Sequence, residues 1–333
     1  MQNRKRYPWF WVVLSAVVVL AVVSMGLVFM AVAVAGTGTG KQVALIELSG
    51  LISDEGTRGV LGGSVGGARK FIADCEKAER DPNVKAVVIR IDSPGGAAAA
   101  AQEMYRAVVR LKAKKPVICS MGDVAASGGY YVAAACEKIY ANGSTMTGSI
   151  GVISEFLNYG KLFDKLGVDQ PVVKSGKFKD AGNPARPMTA DERDLFQSMI
   201  MNVYAQFVDD VAAGRKGPTA GKLTRSQVLK LADGRVYTGL QAKDNGLVDE
   251  IGGLREAIDE AANRGGIKGE PHIKNYSSSG LLDSLSGGDS ESTFDHSISA
   301  GAQSAGQAFA DGFLMRLRQE PGTIAGTSPL QAR

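Results

Sequence analysis

The chain has 333 residues, 44% of them hydrophobic and 22% charged, with a formal net charge of +4. That is apolar material for one sizeable core with appendages, and so small a charge without a long basic run gives no argument for nucleic acid. The three cysteines, Cys75, Cys119 and Cys136, lack metal-ligand spacing and read as small core residues rather than a disulfide framework.

Arg4, Lys5 and Arg6 precede a segment, residues 7–40, that carries no charge. Residues 9–34 are almost wholly apolar, with Trp9 and Trp11 as interfacial anchors. A spanning helix needs about 20 apolar residues, whereas the apolar region of a cleavable signal peptide has about 7–15. The run therefore reads as a transmembrane signal anchor; cleavage near Ala35 is the alternative. Basic residues ahead of the helix predict a cytoplasmic N-terminus, with the rest of the chain on the extracytoplasmic side of the cell membrane. Residues 36–40 form a Gly/Thr linker. The expected layout is residues 1–40 for the N-terminus, anchor and linker, 41–276 for the catalytic domain, and 277–333 for a tail.

Within the domain, strands are predicted over 43–48, 84–91, 116–120, 138–141, 150–153 and 171–174. Helices are predicted over 68–80, 97–112, 130–136, 157–166, 226–232, 238–245 and 254–263. A glycine-rich loop is expected over 56–67. A long helix starts after Thr189, with Glu192 completing a capping box. Phe196, Ile200, Val203, Phe207 and Val211 give it one apolar face, for the core or for subunit contact. Alternating strands and helices predict an α/β fold. The Ser/Gly/Asp-rich residues 277–292 predict a disordered tether.

Two glycine turns each follow a predicted strand. One is Asp92-Ser-Pro-Gly-Gly96. The other lies in Met121-Gly-Asp-Val-Ala-Ala-Ser-Gly-Gly-Tyr-Tyr131, with Ser127 at the strand-to-helix turn. The N–H groups of Gly96 and Gly128 could together hold an oxyanion beside Ser127. Two ordinary turns, with Ser127 as a helix cap, are the plain alternative. A phosphate loop is disfavoured because no Gly-Lys-Ser/Thr follows. The only histidines, His272 and His296, lie near the end of the chain, so a lysine made neutral by burial is the next candidate base. The residues alone do not choose among Lys174, Lys177 and Lys179.

These two motifs, with Thr147-Gly-Ser-Ile-Gly-Val152, Lys174-Ser-Gly-Lys-Phe-Lys-Asp180, Gly234-Arg-Val-Tyr-Thr-Gly239 and Gly246-Leu-Val-Asp249, resemble the short form of the signal peptide peptidase A family. That family has the Clp-protease/crotonase-like fold of repeated β-β-α units. The resemblance covers roughly residues 42–262. It implies Ser127 as nucleophile, Lys179 as general base, Ser149 orienting the lysine, and Gly96 and Gly128 as the oxyanion hole, with no metal and no cofactor. It implies remnant signal peptides and similar apolar peptides as substrates. It also implies a closed homo-oligomer, an octamer by resemblance, in which neighbouring subunits each supply half of the dyad. One departure is the row of small residues Ala97–Ala101, at positions expected to border the substrate groove. Rival readings are a membrane-protein quality-control protease, an inactive scaffold and an acyl-CoA enzyme of the crotonase fold. The C-terminal tail, tethered at high effective concentration, is expected to enter or be trimmed by the site; the alternative is that residues 308–316 form an amphipathic helix packed on the body or the membrane surface.

Overall fold

The computed structural model describes residues 19–20, 23–25, 40–58, 64–65, 67–216 and 223–277. Most of the proposed membrane anchor and nearly all of the tail lie outside the described residues. Among the described residues no helix is long and apolar enough to cross a membrane.

The centre is a mostly parallel sheet. β1 (Gln42–Ser49) lies between β10 (His272–Asn275) and β4 (Val84–Ser93), and β5 (Val117–Ala126), β6 (Lys138–Ala141) and β9 (Glu250–Ile251) follow β4 in order. β7 (Met146–Gly148) pairs in parallel with the end of β5, and β8 (Val236–Thr238) pairs antiparallel with β7. A separate two-stranded hairpin, β2 (Thr57–Arg58) with β3 (Ser64–Val65), lies in the predicted loop.

The three long strands are apolar at consecutive positions because both faces are covered. Side chains alternate between faces. Ala44, Ile46, Val87, Ile89, Cys119 and Met121 enter one cluster, with α1 (Ala68–Arg80), α2 (Ala98–Lys112) and α3 (Gly128–Ala134). Val43, Leu45, Ala86, Val88 and Ile118 enter the other, under Ala257, Ile258, Ala261 and Ala262 of α8 (Leu254–Arg264). All three cysteines are buried and unpaired by disulfides, as expected.

Residues 153–179 leave the body. All are exposed except Gly160 and Phe163, which are half-buried. Their only regular element is α4 (Gly160–Leu166). The strands predicted over 150–153 and 171–174 are absent: β7 ends at Gly148, and Pro171–Lys174 have no neighbouring strand to complete a ladder. Exposure reaches 75% at Ile153, 68% at Leu157 and 102% at Val173. This arm returns through α5 (Ala190–Gly214), capped as predicted by Thr189 and Glu192. Phe156 packs on Phe196 at the start of α5, with ring centroids 4.4 Å apart. The second half of α5 rejoins the body. There Phe207 stacks on Tyr131 of α3 at 4.3 Å, and the Tyr131 hydroxyl donates to Asp210 at 2.5 Å. α6 (Arg225–Leu231) and α7 (Gly239–Asp244) complete the chain's helices among the described residues, each opened by a threonine capping box.

Candidate active site

β4 and β5 end at the same edge of the sheet, and both turns singled out in the sequence stand there. β5 runs further than predicted, to Ala126. Beyond Met121 its ladder with β6 has ended, and β7 takes over as partner, pairing Val124 with Met146 and Ala126 with Gly148. Side chains pin this extension. Thr145 and Thr147 donate to the carbonyls of Gly122 and Ala125, each at 2.7 Å. Asp92 accepts from the Val124 N–H at 3.1 Å, where the β4–β5 register shifts. Burial pushes the Asp92 carboxyl up from its ordinary value. Sequence reasoning missed Asp92 and these threonines as supports, because their partners are main-chain groups on other strands.

Ser127 follows with φ 52° and ψ −118°. A serine with positive φ is strained, by about 1–3 kcal/mol, and persists only where its surroundings impose it. Here the Ser127 N–H donates to the Gly148 carbonyl at 2.8 Å, and its own carbonyl accepts from Tyr131 N at 2.9 Å. The side chain makes no capping bond to α3, so the helix-cap reading fails. The sharp strand–turn–helix lifts the hydroxyl clear of its own backbone, as a nucleophile needs.

The two glycine turns touch backbone to backbone. Gly95 has φ 100°, and a Cβ there would stand 2.7 Å from Gly128 N and 2.8 Å from Ser127 Cβ. Gly96 has φ 153°, and a Cβ there would meet the Ile52 carbonyl oxygen at 2.1 Å. Ile52 bonds to the residues on either side, donating to the Gly95 carbonyl at 2.8 Å and accepting from Ala97 N at 2.9 Å. Gly96 therefore directs its N–H away from Ile52. Gly128 opens a helix, so its N–H has no partner within that helix. Among the described residues these are two neighbouring donors with no main-chain acceptor, which is what a developing oxyanion requires.

Ser149 stands beside Ser127. Their preceding residues, Gly148 and Ala126, are paired in register, and Ser149 also has positive φ, at 49°. Its N–H is held by the Arg235 carbonyl at 2.8 Å. Lys179 does not join them. It is exposed on the arm, and the side chains of Ser127, Ser149 and Lys179 make no hydrogen bond to one another within the chain. The three candidate lysines nevertheless differ. Lys174 is ion-paired with Asp180 at 2.5 Å, and Lys177 is ion-paired with Asp191. Lys179 has no carboxylate partner among the described residues. His272 begins β10, opposite Gln42 at the start of β1. That is the end of the parallel sheet away from Ser127. Among the described residues no group of three or more His, Cys, Asp or Glu could hold a metal.

A family model described as peptidase family S49 matches residues 109–268, a span that includes Ser127, Ser149 and Lys179. A Synechocystis protein assigned as a protease is 38% identical over 231 residues, 69% of this chain and 77% of that protein. The chloroplastic serine protease SPPA of Arabidopsis thaliana is 38% identical over 234 residues, 69% of this chain and 33% of the relative. Protease 4 of Haemophilus influenzae is 35% identical over 222 residues, 66% of this chain and 34% of the relative. The chain thus spans about a third of the length of these last two relatives. A solved mutant of the 1510-N membrane-bound stomatin-specific protease superposes with a TM-score of 0.46 at 16% identity, over 72% of this chain and 99% of that one.

Proposed function

The chain belongs to peptidase family S49, a family of serine peptidases related to signal peptide peptidase A, and on that premise we propose a Ser/Lys-dyad endopeptidase whose Ser127 is served by Lys179 of a second copy. Ser127 Oγ attacks the scissile carbonyl while the neutral Lys179 amine takes its proton. The N–H groups of Gly96 and Gly128 hold the oxyanion. Lysine then returns the proton to the leaving amine, and the same amine activates the water that releases the acyl group. The Ser149 hydroxyl, one strand over from Ser127, orients the amine.

The observation that carries this reading is how the parts divide between the body and the arm. Ser127, Ser149 and the two glycine donors are assembled within one chain, whereas Lys179 stands on an exposed apolar arm with no carboxylate partner among the described residues. An arm exposing Ile153, Leu157, Leu166 and Val173 has surface to bury, and a second copy of the chain supplies a partner for it. Burial between copies would also desolvate the ammonium and favour the neutral amine. The account includes a closed homo-oligomer, a single-pass N-terminal anchor and a site on the extracytoplasmic side. Its substrates are remnant signal peptides and similar apolar peptides.

Covalent labelling tests the nucleophile. A fluorophosphonate probe should add once per active subunit, on the peptide containing Ser127, and turnover should fall in step with the adduct. Full turnover by labelled enzyme, or an adduct on another serine, would overturn the assignment.

A further inference from the structure

The turn that carries Lys179 has no helix or strand to hold it. Its main-chain bonds are local, with Lys179 N donating to the Gly176 carbonyl at 3.2 Å and Ala181 N to Phe178 at 3.1 Å. A general base needs a fixed position, since a displacement of about 1 Å can cost about 100-fold in rate. Something else must hold this turn.

Asp180, the next residue, is that hold. Arg186 donates to its Oδ2 from Nη2 at 2.9 Å and from Nε at 3.1 Å, and to its carbonyl at 3.2 Å. Lys174 takes the other carboxylate oxygen at 2.5 Å. The same guanidinium reaches Glu192, through Nη1 to Oε2 at 3.0 Å and through Nη2 to Oε1. Glu192 in turn closes the cap of α5, accepting from Thr189 N at 2.9 Å. The side chains of Glu192 and Asp180 are only 3% and 11% exposed, although the chain just before them, residues 164–179, is exposed throughout. One planar cation thus joins the residue after Lys179 to the first turn of a long helix. Lysine lacks the forked donors to do the same.

The cluster matches two carboxylates with two cations, Arg186 and Lys174, so it sets geometry without adding net charge beside Lys179. Hydrogen bonds from Arg186 hold the Glu192 carboxyl at about 2, and bonds from Lys174 and Arg186 lower Asp180. Both stay ionised at neutral and alkaline pH, where a neutral lysine would work.

We propose that Arg186 is a positioning residue for Lys179, tying the turn that bears it to the capped start of α5 through Asp180 and Glu192. This rests on the reading of Lys179 as the base.

The test is steady-state kinetics on the assembled full chain, with the assembly state followed by sedimentation. Arg186→Gln should lower kcat by about 100-fold while KM stays within about twofold, because the turn carries the base and not the substrate groove. Arg186→Lys, which keeps the charge and loses the fork, should be nearly as slow. Asp180→Asn should slow the enzyme too, and combining it with Arg186→Gln should cost little beyond the worse single change, since both break one contact. Near-normal kcat for Arg186→Gln in an intact assembly overturns the inference. So does rescue by Arg186→Lys, or a loss of rate that disappears once protein concentration restores the assembly. If Arg186→Gln fails to fold, Asp180→Asn and Arg186→Lys give the same readouts. Full activity in Lys179→Ala would instead remove the reading of the base.

Discussion

Replacing Ser127 or Lys179 by alanine should lower kcat/KM by about 10⁶-fold, the scale on which loss of a nucleophile or its base is felt. Neither change should unfold the protein. The Ser127 hydroxyl makes no capping bond, and Lys179 is exposed, so their truncation removes no structural contact. Lys179→Arg should be as inactive as the alanine variant, because a guanidinium does not become a neutral base. In the wild type, activity should rise with pH, as a neutral amine base requires. Peptide hydrolysis and thermal melting, measured together, check both halves. Turnover above about one per cent of wild type in either alanine variant would remove that residue from the dyad.

The second large effect concerns stability. Arg215, at the end of α5, is fully buried, and its guanidinium donates to both oxygens of Asp249, at 2.7 and 3.0 Å, and to the Gly246 carbonyl at 3.1 Å. Removing the carboxylate leaves a buried cation unmatched, which costs about 3–5 kcal/mol against a total of about 5–15 kcal/mol for a typical domain. Asp249→Ala also frees the Ile139 N–H, now bonded to Asp249 at 2.7 Å. Asp249→Asn keeps acceptors at that position and should lose less. Denaturant midpoints should rank wild type above Asp249→Asn above Asp249→Ala. An alanine variant within about 1 kcal/mol of wild type would show that the pair contributes little, as many exposed pairs do.

Much of the fold was legible because its central strands obey one rule. β1, β4 and the start of β5 are continuous apolar runs bounded by turn residues, and α1, α2 and α8 fall within a residue of their expected limits. The misses have a common cause. An apolar run signals burial but not its partner, so 150–153 and 171–174 look like strands although no neighbour meets them. β8 and β9 have three and two residues, too short for a period to register. At the site, the two glycines that follow Ser127 marked the turn. They could not reveal its positive φ, nor that Ser149 stands one strand away. The difference among Lys174, Lys177 and Lys179 lies in which carboxylates each one meets, and those meetings come from the folded arm. Glu192 was visible as a cap, but its link through Arg186 to Asp180 was not.

Mixing two inactive proteins tests the shared site most directly. Ser127→Ala subunits retain Lys179, and Lys179→Ala subunits retain Ser127, so a mixed assembly contains intact pairs if each site draws on two copies. After subunit exchange, confirmed by native mass spectrometry, activity should reappear in proportion to the mixed species while either variant alone stays inactive. Mixed assemblies without activity, alongside an active wild type, would contradict the account and return the complete site to a single chain.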